Sequence, residues 1–215
     1  MRWRPILALA GLGLGCGGPG GLVVPLPDAA VAPAPAGVDA GPYPTANVGG
    51  KPRTRTTAGQ VFPNFTLEGI RSVATIDERA EVSMAEIYDP AGTRYDLLHV
   101  VAVFFWCPHC NNETNALAKL ASWRAEHRVA VIEIAMQGYG SSSPGWSELQ
   151  EWVRDHALDF PVLVDGQGGE LGQFFPIGSV PLNIAVDPRT MEILSVDVGE
   201  VADMTAYEQG FLAGS

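Results

Sequence analysis

Leu97 to Phe105 (LLHVVAVFF) is a near-continuous apolar run that leads straight into Trp106-Cys107-Pro108-His109-Cys110. Successive side chains of a strand point to opposite faces, so a strand apolar at almost every position must be covered on both sides. Helical spacing follows over 113–126, where Leu117, Leu120, Ala121 and Trp123 supply an apolar stripe. Arg128 to Met136 (RVAVIEIAM) then predicts a second buried strand. Strand, helix and strand in that order argue for a parallel crossover in an α/β layered fold.

The remaining pattern extends this plan. Gly138 to Gly145 reads as a loop. Ser147 with Gln150 three places on predicts a helix start, with Leu149, Trp152, Val153 and Ala157 on the apolar face. Strands are expected at Val162–Val164, Leu182–Val186 and Ile193–Val198. Asp187-Pro188-Arg189-Thr190 is a turn that makes the last two an antiparallel edge. Leu171 to Phe175 and Thr205 to Leu212 predict short helices.

The chain has three cysteines, and two of them are Cys107 and Cys110. A disulfide between residues so close encloses almost no loop and adds little stability by restricting the unfolded chain. Chemistry explains the pair better than structure does. Cys107 falls at the start of a helix, where unpaired N–H groups and the dipole favour an anion such as a thiolate. Cysteines in such settings ionise more readily than free ones. Cys107 is therefore read as the nucleophile and Cys110, one turn along, as the resolving thiol. A His109 imidazolium would favour the thiolate further.

These residues resemble the thioredoxin-like proteins, and among them the TlpA-type thiol-disulfide reductases and redoxins. The resemblance covers roughly Val61 to Leu212. It rests on Val61-Phe62-Pro63-Asn64-Phe65-Thr66-Leu67 as an opening strand, the Trp-Cys-Pro-X-Cys core, and Phe160-Pro161-Val162-Leu163-Val164-Asp165. Gly178-Ser179-Val180-Pro181 completes it. The resemblance implies a thioredoxin-like fold, a central mixed β-sheet flanked by helices. It also implies a cis Pro181 facing the cysteines, with the Val180 backbone meeting an incoming peptide; Trp106 reads as both a packing residue and a substrate contact. Glu113 stands six residues after Cys107, where that family commonly has an active-site glutamate. The residue itself reads equally well as a solvated first-turn carboxylate. Thioredoxin has a buried Asp six residues before its first cysteine, and Val101 is found there, which makes Glu113 the candidate proton carrier. The Pro108-His109 dipeptide belongs with DsbA-type oxidases, against the reductase character of the scaffold.

Other chemistries fit less well. Structural zinc needs four ligands, and no second cysteine pair exists. A copper(I) carrier would pair the dithiol with His99 or a more distant histidine. A peroxidase would want Thr or Ser three places before its cysteine, and Phe104 is there. His99 reads as a packed or edge residue. His127 and His156 are assigned no site role. No metal or other cofactor is called for. The net charge of −11, with 13 scattered basic residues, argues against nucleic acid.

The N-terminal region points to export. Arg2 and Arg4 precede an apolar stretch from Ile6 to Leu14, too short to span a bilayer. Leu12-Gly13-Leu14-Gly15-Cys16 resembles a bacterial lipobox, with Gly13 where that pattern prefers Leu. Residues 1–16 are accordingly read as a signal with Cys16 lipidated; cleavage near Gly15 or Gly18 without lipidation is the plainer alternative. Residues 17–60, rich in Pro, Gly and Ala, read as a disordered tether with a span of roughly 35–40 Å. Residues 61–215 form the domain. The expected setting is the bacterial cell envelope, facing the periplasm or exterior. The expected partners are thiols and disulfides of exported proteins and a membrane or periplasmic redox partner.

Overall fold

The computed structural model describes residues 43–44, 57–175 and 178–212. The signal segment with Cys16, and nearly all of the stretch read as a tether, lie outside the described residues. Tyr43 is one residue of that stretch that is described. It is buried, and its hydroxyl donates to the Phe62 carbonyl at 2.7 Å. No helix among the described residues is long and apolar enough to cross a membrane.

Seven strands form one mixed sheet: β1 (Thr66–Ile70), β2 (Ala80–Ser83), β3 (Leu97–Phe104), β4 (Val129–Gln137), β5 (Val162–Val164), β6 (Leu182–Asp187) and β7 (Glu192–Val198). Their order is β2-β1-β5-β4-β3-β6-β7. β3, β4 and β5 run parallel, and β6 and β7 continue antiparallel on one side. β1 and β2 close the other side, again antiparallel. The apolar run thus becomes a central strand, buried at every position but Phe104.

Four helices accompany the sheet: α1 (Pro108–Ala118), α2 (Ala121–Glu126), α3 (Trp146–Asp155) and α4 (Met204–Leu212). Three expectations are corrected here. The helix expected over 113–126 begins five residues earlier and is broken. Pro108 occupies the first helical position, where its fixed φ suits the helix and its missing N–H costs nothing. The break comes where Lys119 and Leu120 donate to carbonyls three residues back.

The cap expected at Ser147 falls two residues earlier, at Gly145. Glu148, not Gln150, reaches back, its carboxylate accepting from the Gly145 N–H at 2.9 Å. Gln150 instead donates to the Ile76 carbonyl. Ala157 lies beyond the helix at φ 52° and is not part of its apolar face.

The opening strand is also displaced. Val61 makes an isolated bridge to Glu192, while β1 starts only at Thr66. Pro63 lies between them and has no N–H to give a ladder.

The register of the central strands sets one row across the sheet. Val101 of β3 is flanked by Glu133 of β4 and Asn183 of β6. On this face β3 also carries His99, and the helices α1, α3 and α4 pack over it through Thr114, Trp152 and Glu208.

Candidate active site

Cys107 is the N-cap of α1, with extended backbone at φ −82° and ψ 119°. Its N–H donates to the Phe104 carbonyl at 3.0 Å. The Asn111 side chain donates to the carbonyls of both Phe105 and Cys107, each at 3.0 Å, and fixes the turn from strand to helix. Cys110 lies one turn into the helix. Both cysteines are buried and unbridged. The first N–H groups of a helix have no partner within it, so Cys107 stands at the positive end of α1.

The two thiols are not equivalent. Burial is the main cause that pushes the Cys110 thiol far up, against the lowering effect of a bond with the Phe104 backbone; its contact with Cys107 and the Glu133 charge add to the rise. The Val180–Pro181 peptide bond is cis, and the Val180 carbonyl lies 4.0 Å from the Cys107 sulfur. Val180, Pro181 and the cysteines therefore meet at one place, as the sequence implied.

Trp106 is partly exposed, stacks obliquely on Phe104 and donates from its indole N–H to Gln137 at 3.0 Å. Phe104 and Gln137 also line a recess of about 260 Å³, together with Met136, Gln167, Gly168 and Gly172. His109 is exposed, and its Nδ1 lies 2.6 Å from Glu200 in the segment between β7 and α4. The imidazole is thus held toward Glu200.

Glu113 is not a solvated first-turn carboxylate. It is 1% exposed, and its Oε2 accepts from the Val201 N–H at 2.8 Å. Its Oε1 is buried without a hydrogen-bond partner. Burial raises this carboxyl, against the lowering effect of the bonds from Val201 and Asn183 and of the charge of His99.

His99 is packed, at the middle of the sheet. Its ring nitrogens face two acceptors, Glu208 Oε1 at 2.9 Å and Asn183 Oδ1 at 2.8 Å. Asn183 donates to the Gly199 carbonyl at 3.3 Å, which orients its amide. Glu113, Asn183, His99 and Glu208 thus form one buried polar series from α1 to α4.

Glu133 was absent from the residues singled out by sequence, although a charge within RVAVIEIAM is itself a signal, since unpaired charges seldom occur in a buried strand. It is fully buried. Thr114 Oγ1 and Trp152 Nε1 donate to its two oxygens, each at 2.6 Å. Burial pushes its carboxyl up to about 7; those two bonds oppose the rise and the Glu113 charge adds to it. Glu200, Asn183 and Glu208 were also missed, and all three are remote from the cysteines in sequence.

The raised Glu133 carboxyl predicts a pH-dependent stability. Between its ordinary value of 4.5 and its folded value of about 7, the native state holds a proton that the unfolded chain releases. Stability therefore falls as pH rises through this window, by about 3 kcal/mol. Urea unfolding at a series of pH values should show this decline, and Glu133→Gln should flatten it. An equal decline in both proteins would exclude Glu133 as the cause.

Among the described residues, no group of three or more His, Cys, Asp or Glu is arranged to hold a metal ion.

The architecture recurs in solved structures. A thiol:disulfide interchange protein of the thioredoxin family from Chlorobium tepidum aligns at TM-score 0.53 and 16% identity, over 71% of this chain and 97% of that one. The thioredoxin domain of a thiol-disulfide oxidoreductase from Bacteroides vulgatus aligns at TM-score 0.54 and 16% identity, over 72% and 97%. Peroxidoxin BcpB from Mycobacterium tuberculosis aligns at TM-score 0.50 and 20% identity, over 74% and 96%. At such identities the likeness establishes a shared thioredoxin-like fold. A search among curated proteins finds no match. The AhpC/TSA family model matches residues 58–191, well over half of the sequence and including both cysteines, and the chain belongs to that family.

Proposed function

We propose that the protein is a thiol-disulfide oxidoreductase that exchanges the Cys107–Cys110 couple with cysteines of exported proteins. The observation that carries this reading is the inequality of the two thiols. Cys107 sits on a helix start facing the Val180 carbonyl, while burial holds Cys110 as a neutral thiol. Such a pair attacks once and resolves second.

In the reducing direction, the Cys107 thiolate attacks a substrate disulfide. A Cys107–substrate bond forms and one substrate sulfur leaves. Cys110 then loses its proton and attacks Cys107, so the Cys107–Cys110 disulfide forms and the second substrate sulfur departs with the electron pair. Substrate is reduced by two electrons and the protein is oxidised by two. The reverse sequence oxidises a substrate dithiol. Trp106 and the Val180–Pro181 edge line the approach. Glu113, buried on α1 with one oxygen that accepts no hydrogen bond, is the carboxyl that the family resemblance offers as a proton carrier.

Within the family this is a TlpA-type scaffold with a DsbA-like Cys-Pro-His-Cys site. It would be held by a lipid on Cys16 at a bacterial membrane, facing the periplasm or exterior, and re-poised by a membrane or periplasmic redox partner.

Insulin reduction and the reduction potential against glutathione test the proposal together. Exchange that needs both cysteines is expected. A potential near about −120 mV marks an oxidase and one near about −270 mV a reductase. His109→Pro should make the couple more reducing, since it removes the imidazole that stands between the two cysteines in the chain; an unchanged potential would refute that role. Peroxide consumption without dithiol exchange would favour a peroxidase, and tight 1:1 copper(I) binding without exchange a metal carrier.

A further inference from the structure

The exchange reaction leaves one proton without a destination. Cys110 must give up its proton to resolve the mixed disulfide, yet it is buried and opposed to ionisation by its surroundings. Two carboxyls share its surroundings, Glu113 on its own helix and Glu133 on the strand beneath.

Glu133 is the better placed of the two to accept that proton. Thr114 is one helical turn from Cys110, and its hydroxyl grips Glu133 at 2.6 Å, so the carboxylate is held against the same inner face of α1. The Glu133 charge in turn acts on the Cys110 thiol. Glu133 has donors from two different helices and no cation, so burial favours its neutral form while the two hydrogen bonds favour the ionised one. Glu113, by contrast, is drawn toward α4 by Val201 and Asn183.

The groups facing Glu133 come from every layer. α1 contributes Cys110, Glu113 and Thr114, and α3 contributes Trp152, with the His156 ring 4.4 Å from it. β3 contributes Val101 beside it and His99 on the same face, the latter already engaged by Glu208 of α4 and Asn183 of β6.

We infer that Glu133 accepts the Cys110 proton during resolution, so that strand β4 supplies the buried base that β3 lacks at Val101. This rests on the dithiol-exchange reading above. In the step, the Cys110 S–H proton passes to the Glu133 carboxylate. The sulfur attacks Cys107, and the Cys107–substrate bond breaks. The departing substrate thiolate takes a proton from water, and Glu133 later returns its own to solvent.

Reaction of the reduced full-length protein with an aromatic disulfide that releases a coloured thiol separates the steps. The first equivalent reports attack by Cys107 and the second reports resolution by Cys110. In the wild type the second phase should quicken as pH rises through about 7, where Glu133 becomes ionised. Glu133→Gln should slow that phase about a hundredfold above neutrality and abolish its midpoint, with the first phase unchanged. A second phase that is equally fast or faster in the variant overturns the inference, because it leaves Glu133 only a packing or field effect. Wild-type protein that releases one equivalent overturns the exchange reading itself.

If Glu133→Gln does not fold, carbon NMR of the wild-type carboxyl decides. The Glu133 midpoint must coincide with the pH midpoint of the second phase in the wild type. Midpoints that differ by more than about one pH unit overturn the inference.

Discussion

Replacing Cys110 with Ala is expected to stop turnover while leaving Cys107 able to attack, so that the protein accumulates as a mixed disulfide with its substrates. Resolution needs a second sulfur one turn along α1, and Cys110 is the neighbouring sulfur at that height. Insulin reduction should fall on the order of a thousandfold, as when one member of a unit that acts together is removed. Non-reducing gels should show adducts that dithiothreitol dissolves. Cys107→Ser should show the same loss of turnover without adducts, because Cys110 is buried and held as a neutral thiol. Adducts formed equally by Cys107→Ser would reverse the two roles. Adducts formed by neither variant would leave the couple without an exchange function.

Trp152→Ala is expected to be the most damaging single change to stability. The ring is fully buried on α3 and stacks on Phe105 with centroids 4.4 Å apart and planes within 14°. Removing a buried Trp costs about 3–5 kcal/mol through lost burial and the cavity left behind. Its indole N–H also donates to Glu133, and leaving a buried charged group without a donor costs about 1.5–3 kcal/mol more. The two losses share one site and will not simply add. A total near 5 kcal/mol is still a large part of the 5–15 kcal/mol typical of a domain. Urea unfolding measures it. Trp152→Phe keeps most of the apolar surface and removes the donor, so it should cost about 2 kcal/mol and raise the Glu133 midpoint. A loss below 1 kcal/mol in Trp152→Ala would show that Tyr139, His156 and Phe105 close over the gap.

Much of this molecule is written in short stretches of sequence. The strand at 97–104 and the helix start at Pro108 follow from an apolar run and a proline in the one helical position where it is favourable. The hairpin after β6 follows from Asp187-Pro188-Arg189-Thr190, where Thr190 donates to the Asp187 carbonyl as a four-residue turn does, and Met191 donates to it as well. The caps were less legible. Ser147 offered a good side chain, but Glu148 lies where its carboxylate reaches both Gly145 and Tyr139, so the helix starts earlier. Local chemistry named the kind of signal and the tertiary contact chose the residue.

The site divides in the same way. Cys107, Pro108, His109 and Cys110 are contiguous, and their setting between strand and helix is a matter of local periodicity, which the chain carries by itself. The company they keep is not local. Glu133 lies beneath α1 because β4 pairs with β3 in one register, and a shift of one residue would turn that carboxylate to the opposite face. Asn183 completes the row from the other side, and Glu200 comes from a segment 91 residues away to meet His109. The sequence alone determined the fold class and the position of the dithiol, because both follow from patterns a few residues long. Only the folded sheet decided which carboxyl stands beside the resolving thiol, because strand register is fixed by packing across the whole domain.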